Sequence, residues 1–151
     1  MLDSPPTTGS GRAEAPLLRL AGAASLLVGA GIHVYEFFPQ SLAYLAALFV
    51  ASAAGMVVGA ALLVGRAPRL GWLVGGITAA LTVAGYVWSR AVGLPLDAGD
   101  VGNWLQADGV ASLVVELLAV GCAVLALVDR HRLSWFHASQ ELQTMRPGWQ
   151  A

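Results

Sequence analysis

Glu116 is the residue whose surroundings demand most of it. It falls inside Gly109–Val128, a run that is otherwise apolar and long enough to cross a bilayer. A lone carboxylate at that depth costs roughly 2.5–3.5 kcal/mol on insertion scales, so it needs a partner or a function. Few residues can supply either. His33 and Glu36 stand three apart near the end of an earlier apolar run, which places them on one helical face. Tyr86 and Arg90 close a third run, and Asp108 opens the run that holds Glu116. One imidazole with carboxylates can relay a proton or bind a cation, with Arg90 as the counter-charge. His33, Glu36 and Glu116 are the only candidates for a metal, and the fit is thin. Carboxylate-bridged di-metal bundles use two Glu-x-x-His motifs and two further Glu. This chain has a single His-x-x-Glu, in the opposite order.

Other chemistry finds little support. Haem needs an axial His, and only His33 lies in an apolar run, so bis-His ligation would require a dimer. There is no GxSxG, P-loop, dinucleotide fingerprint or HExxH. No catalytic residue and no cofactor is assigned, and the reading leans away from an enzyme. Cys122 is the one cysteine, so it has no intramolecular disulfide and no zinc spacing, and it reads as a small buried residue.

Composition says what must position these groups. The chain has 151 residues, 57% hydrophobic and 11% charged, where soluble domains carry about 25% charged residues. Mean hydropathy is +0.69. A net charge of −1, with Arg and no Lys, gives no basic footprint for nucleic acid. The abundance of Ala, Gly and Arg fits a GC-rich bacterial genome.

Four windows meet the requirement of about 20 apolar residues for a spanning helix: 17–38, 41–65, 70–89 and 109–128. The runs are continuous and do not alternate, which favours helices over barrel strands. Pro39 separates the first two, and Arg66-Ala67-Pro68-Arg69 separates the next two. Only 90–108 is a long connection, with Gly93, Pro95, Gly99 and Gly102 as turn formers. Short links predict antiparallel neighbours, so the expected fold is all-α, an integral membrane four-helix up-down-up-down bundle.

Seven of the eight Arg (Arg12, Arg19, Arg66, Arg69, Arg130, Arg132 and Arg146) fall on one side of these spans. The positive-inside rule makes that side cytoplasmic. The expected location is the inner membrane, multi-pass, with both termini cytoplasmic and an acidic outer face at Asp97, Asp100 and Asp108. Residues 1–16 read as a disordered cytoplasmic segment and not as a cleaved signal peptide, because the first span is too long. Residues 129–151 read as a cytoplasmic tail, with Trp135, Ala138, Leu142 and Met145 at the spacing of an interfacial amphipathic helix and Trp135 and Phe136 at the interface. His131 and His137 belong to it and are not expected to be ligands.

In the second span Ala43, Ala47, Ala51, Gly55 and Gly59 recur at steps of four, and Gly71 and Gly75 follow in the third. Small residues allow close helix approach in lipid. This stripe serves either packing within the bundle or a homo-oligomer seam through Ala51, Gly55 and Gly59. Tyr35, Tyr44, Tyr86, Trp88 and Trp104 fit an outer aromatic belt, with Trp72 on the inner one. Arg90 has a second reading, snorkelling to headgroups. Apart from lipid, no partner is specified.

Ser89-Arg90-x-x-Gly93-Leu94-Pro95, then Gly102-Asn103-Trp104, then Ser112-Leu113 and Glu116 resemble a pattern of small, uncharacterised four-helix membrane proteins of bacteria. The resemblance covers about a quarter of the chain and lends no catalytic residues. It implies that Arg90, the Gly-Leu-Pro turn, Trp104 and Glu116 form one unit, with the loop folded back over the bundle mouth. The expected role is structural or accessory. The alternative is ion, metal or proton handling at an outer-half polar site.

Overall fold

The computed structural model describes the backbone of residues 11–144 and the side chains of residues 16–128. Over that range the chain forms α1 (Gly11–Phe37), α2 (Ala43–Val64), α3 (Pro68–Ala91) and α4 (Ala107–Thr144). All four are long and apolar enough to cross a bilayer, in the segments Pro16–Phe37, Ala43–Val64, Pro68–Ala91 and Ala107–Val128. α1 packs on α2 and α4, and α3 packs on the same two, while α1 and α3 barely meet across the diagonal. This is the expected all-α four-helix bundle of a multi-pass membrane protein. One end lies under the 92–106 loop and is called the capped end. At the opposite end α1 begins and α2 runs into α3.

Local chemistry explains most boundaries. Pro68 opens α3 at a position where its missing N–H loses nothing. Pro39 sits in the turn after α1, held by Phe38 N to Tyr35 O at 3.3 Å and Gln40 N to Phe37 O at 3.2 Å. Two boundaries differ from expectation. α1 starts at Gly11, so part of the segment expected to be disordered is helical. Arg12, Ala13, Glu14 and Ala15 are good helix formers, and propensity extends the helix through Pro16. α4 does not stop at the fourth span. It continues for 38 residues, about 57 Å at 1.5 Å per residue, well beyond a hydrocarbon core of about 30 Å. The proposed interfacial tail is therefore a continuation of α4 up to Thr144. Residues 1–10 and 145–151, and the side chains of Trp135 and Phe136, lie outside the described residues.

The core is built mainly from alanine. Ala23, Leu26 and Ala30 of α1 meet Ala53, Met56, Ala60 and Leu63 of α2, Trp72 and Ala79 of α3, and Ala119, Ala123 and Ala126 of α4. Steps of three and four keep each set on one face. Followed toward the capped end, the same faces change character. The α1 stripe runs on into His33, and the α4 stripe runs on into Glu116 and Ser112, all buried. The polar cluster thus occupies core positions.

Backbone approach is closest between α2 and α3. A Cβ on Gly59 would sit 2.6 Å from Gly75 Cα, and one on Gly55 would sit 2.6 Å from Thr78 Oγ1. Gly55 and Gly59 of the small-residue stripe therefore face α3 inside the protomer, while Ala51 is exposed. Trp72 is not at an interfacial belt. It is 3% exposed, because Gly22 of α1 leaves room for its ring: a Cβ there would lie 2.5 Å from the indole.

Arg19 reaches across the opposite end to the last carbonyls of α2. Its Nε donates to Leu63 O at 2.8 Å, and Nη2 donates to Leu63 O and to Gly65 O, the latter at 3.2 Å. A cation there meets the negative end of the α2 dipole. Arg19→Ala is expected to lower stability by about 1–2 kcal/mol. Lys should restore only part of it, since one ammonium cannot reproduce the fork. Equilibrium unfolding in detergent checks both.

A polar cavity at the capped end

The loop from 92 to 106 folds back over the bundle, and each turn has a sequence cause. Gly93 takes φ of +91° and Gly102 φ of +80°, conformations that disfavour other residues. Between them Leu94 and Asp97 exchange reciprocal backbone bonds of 2.9 Å around Pro95-Leu96. Leu96 carries φ of +63° and is 90% exposed, so a large apolar residue sits in a strained turn facing outward. Leu96→Asn, which tolerates this conformation, is expected to stabilise the protein by about 1 kcal/mol, read as a higher unfolding temperature.

Three side chains pin the loop. Tyr44 of α2 donates to Pro95 O, and Tyr86 of α3 donates to Trp104 O at 2.9 Å. Arg90 at the end of α3 does the rest. Its Nη1 pairs with Asp100, its Nη2 donates to Gln106 Oε1 at 2.8 Å, and its own carbonyl accepts from Gly102 N at 2.9 Å. The guanidinium also lies 5.0 Å from the centre of the Tyr86 ring, a cation–π contact. Gly109 allows this arrangement, since a Cβ there would be 2.6 Å from Tyr86 Cε2. Arg90 is 6% exposed, so it does not snorkel, and its bonds go to the loop rather than to Glu116.

Glu116 pairs with His33. The His33 Nε2 to Glu116 Oε1 distance is 2.8 Å, and Ser112 Oγ donates to the same oxygen at 2.7 Å. Both side chains of the pair are at least nine-tenths buried. With Glu116 ionised, the bond runs from Nε2–H to Oε1, and His33 Nδ1 is left as an acceptor with no partner. Arg90 Nε is likewise a buried donor without one. Glu116 Oε2 takes no bond from the described residues. Buried polar atoms are normally paired, so the two buried ones, His33 Nδ1 and Arg90 Nε, stand out beside the unbonded Glu116 Oε2.

They surround a cavity of about 480 Å³, within the range of small-molecule sites. All six residues singled out in the sequence line it: His33, Glu36, Tyr86, Arg90, Asp108 and Glu116. The loop adds Asp97, Asp100 and Gln106. Glu36 is half-buried and Asp108 exposed, so these two belong to the rim. Among the described residues, no three of His, Cys, Asp and Glu are grouped so as to hold a metal ion. His33 turns Nε2 to Glu116 and not to Glu36.

Of the expected aromatic belt, Tyr35, Trp88 and Trp104 are exposed, while Tyr44 and Tyr86 are half-buried and serve the loop. Sequence reasoning missed Gln106 and Asp100 as the partners of Arg90. The one available signal was the pair of turn glycines, Gly93 and Gly102, which bring 100–106 back to the end of α3.

Fold and site together define a multi-pass four-helix membrane protein with a polar cavity at one end of its bundle. The sequence matches no family model, and neither the curated proteins nor the solved structures give a match.

Proposed function

We propose that the cavity binds protons or cations, with Glu116 as the charge that receives them and His33 as the group that holds Glu116 in place. The observation that carries this reading is an unbonded carboxylate oxygen on a nine-tenths buried side chain lining an open volume. A polar cluster kept only for structure closes on itself and satisfies its atoms. A structural or accessory role leaves both the volume and the unpaired oxygen without a reason. The default for an ionisable residue inside a membrane is also a functional one.

The lining supports a positive ligand. Glu36, Asp97, Asp100, Asp108 and Glu116 face it against the single guanidinium of Arg90. The core toward the opposite end is apolar, so the site is a binding pocket at one end and not a path across the membrane. The Arg bias then turns the capped end outward, in an inner membrane with both termini cytoplasmic.

Tryptophan fluorescence offers the test. Trp104 packs edge-on against Tyr86, with centroids 6.3 Å apart, beside Arg90. Proton and cation titrations of the purified protein are expected to change its emission saturably. Glu116→Gln should lose that response while unfolding at a temperature close to that of the parent. A variant that responds like the parent removes the reading.

A further inference from the structure

The cavity lining reaches the bundle surface along α2 and α3 as well as under the loop, and the chemistry of the two sides differs. At the mouth the 92–106 loop is strapped down by Tyr44, Tyr86 and Arg90. On the side, the lining continues onto Leu48 and Ala51 of α2 and Leu81 and Gly85 of α3, all exposed on the bundle surface. These lie within the spans Ala43–Val64 and Pro68–Ala91, so they face lipid. The reason for a gap is visible along α2 and α3. The helices touch backbone to backbone at Gly59 and Gly75, are separated by Thr78 at the level of Gly55, and enclose cavity beyond it.

The wall on this side is mainly apolar, with Ser52 of α2 as its polar exception. Thr78 Oγ1 bonds to Val74 O at 2.8 Å and Thr82 Oγ1 to Ala79 O at 2.8 Å. Both hydroxyls are spent on their own helix, which leaves methyl groups beside Leu45, Leu48, Phe49 and Leu81. At its deep polar end stand Glu116, with its free Oε2, and the His33 ring.

Resting on the cation reading above, we infer that the ligand is an amphipathic organic cation that enters from the lipid between α2 and α3. Its ammonium N–H groups donate to Glu116 Oε2, and its alkyl chain lies along the α2–α3 gap. A metal ion would need more fixed oxygen or nitrogen donors than the pocket gathers. An anion would face five carboxylates. A small hydrated cation has no use for the apolar flank. Each added methylene raises the ligand's partition into the bilayer about fourfold, and so its occupancy of a lipid-facing site at a given aqueous concentration.

The test is equilibrium binding of labelled decylammonium, ethylammonium and decyl sulfate to protein in phosphatidylcholine nanodiscs, over empty discs as the blank. Decylammonium is expected to bind saturably, ethylammonium at least tenfold more weakly, and decyl sulfate not saturably. Glu116→Gln should weaken decylammonium tenfold or more. Gly85→Trp probes the side entry. No atom lies within 4 Å of a Cβ at Gly85, so the fold accepts a side chain there. The indole fills the gap, and decylammonium affinity should fall at least tenfold. Repeating the assay in phosphatidylethanolamine discs separates the sources of the ammonium. Competition by the lipid identifies a headgroup amine as the occupant, and its absence identifies a free amphiphile; either agrees with the inference. Equal binding of decyl sulfate, or an unaffected Gly85→Trp variant, overturns it. So does equal binding of ethylammonium, or no saturable binding of any probe. If the Glu116-dependent fluorescence response persists in those cases, the cation site stands and only the amphiphile is lost.

Discussion

Replacing His33 with alanine is expected to cost the folded bundle roughly 2–3 kcal/mol, because a buried carboxylate loses the hydrogen bond that the imidazole gives it. The reason is what remains. Glu116 is 3% exposed and would keep only the Ser112 hydroxyl at 2.7 Å. Its neighbours along the same face are Ala119 and Ala123, which offer no hydrogen bond. The informative comparison is the double replacement His33→Leu with Glu116→Leu. Apolar substitution of an entire buried pair is often neutral or stabilising, so the double variant should recover to within about 1 kcal/mol of the parent. Equilibrium unfolding in detergent of the parent, the single variants His33→Leu and Glu116→Leu, and the double variant gives the coupling directly. Recovery means that the pair is not retained for stability, which agrees with a binding role. A double variant as unstable as the singles assigns the pair to the fold instead.

The second large effect is expected at the α2–α3 crossing. Gly59→Leu places a Cβ 2.6 Å from Gly75 Cα and 2.8 Å from Gly75 N, both backbone atoms. A side chain can rotate away from an intruder, but a helix backbone must move as a whole. Overpacking of this kind costs about 3 kcal/mol, and more where the partner is rigid. Without a hydrophobic force between helices in lipid, close packing is what holds α2 to α3. The expected result is a bundle with a lower unfolding temperature and weakened α2–α3 cross-linking between introduced cysteines. Gly121→Ala is the matched control, because nothing lies within 4 Å of a Cβ there. It should be neutral or stabilising by up to about 1 kcal/mol from helix propensity alone.

These two sites illustrate what the amino-acid order discloses. The four spans were legible because continuous apolar runs leave the backbone no alternative to a helix in lipid. That Glu116 and His33 stand at one height in the bundle was legible too, since rise per residue converts sequence distance into height. Which partner Glu116 takes was not. Arg90 and His33 stand at similar heights, and the choice is made by a loop whose path depends on positive φ at Gly93 and Gly102. That loop supplies Asp100 and Gln106 to Arg90 and leaves His33 for Glu116. Trp72 failed for a related reason. Its place near the start of α3 suggests an interface, yet Gly22 on a different helix opens a slot for it. The face of α2 that meets α3 was equally hidden, because Ala and Gly at every fourth position give no polarity to tell core from lipid. Helical period fixes faces and heights, whereas contacts between helices depend on rotations that the period leaves free.

The central claim is that Glu116 is an exchangeable site in the folded protein and not a strut. Infrared difference spectroscopy across neutral to acid pH, on protein in nanodiscs, addresses it most directly. The expected result is a reversible protonated-carboxyl band, gained on acidification without unfolding, absent in Glu116→Gln and shifted in His33→Ala. If Glu116→Gln removes no band while the parent stays folded throughout, the carboxylate is sealed from the cavity. The His33–Glu116 pair is then structural, and the cavity is not a proton or cation site.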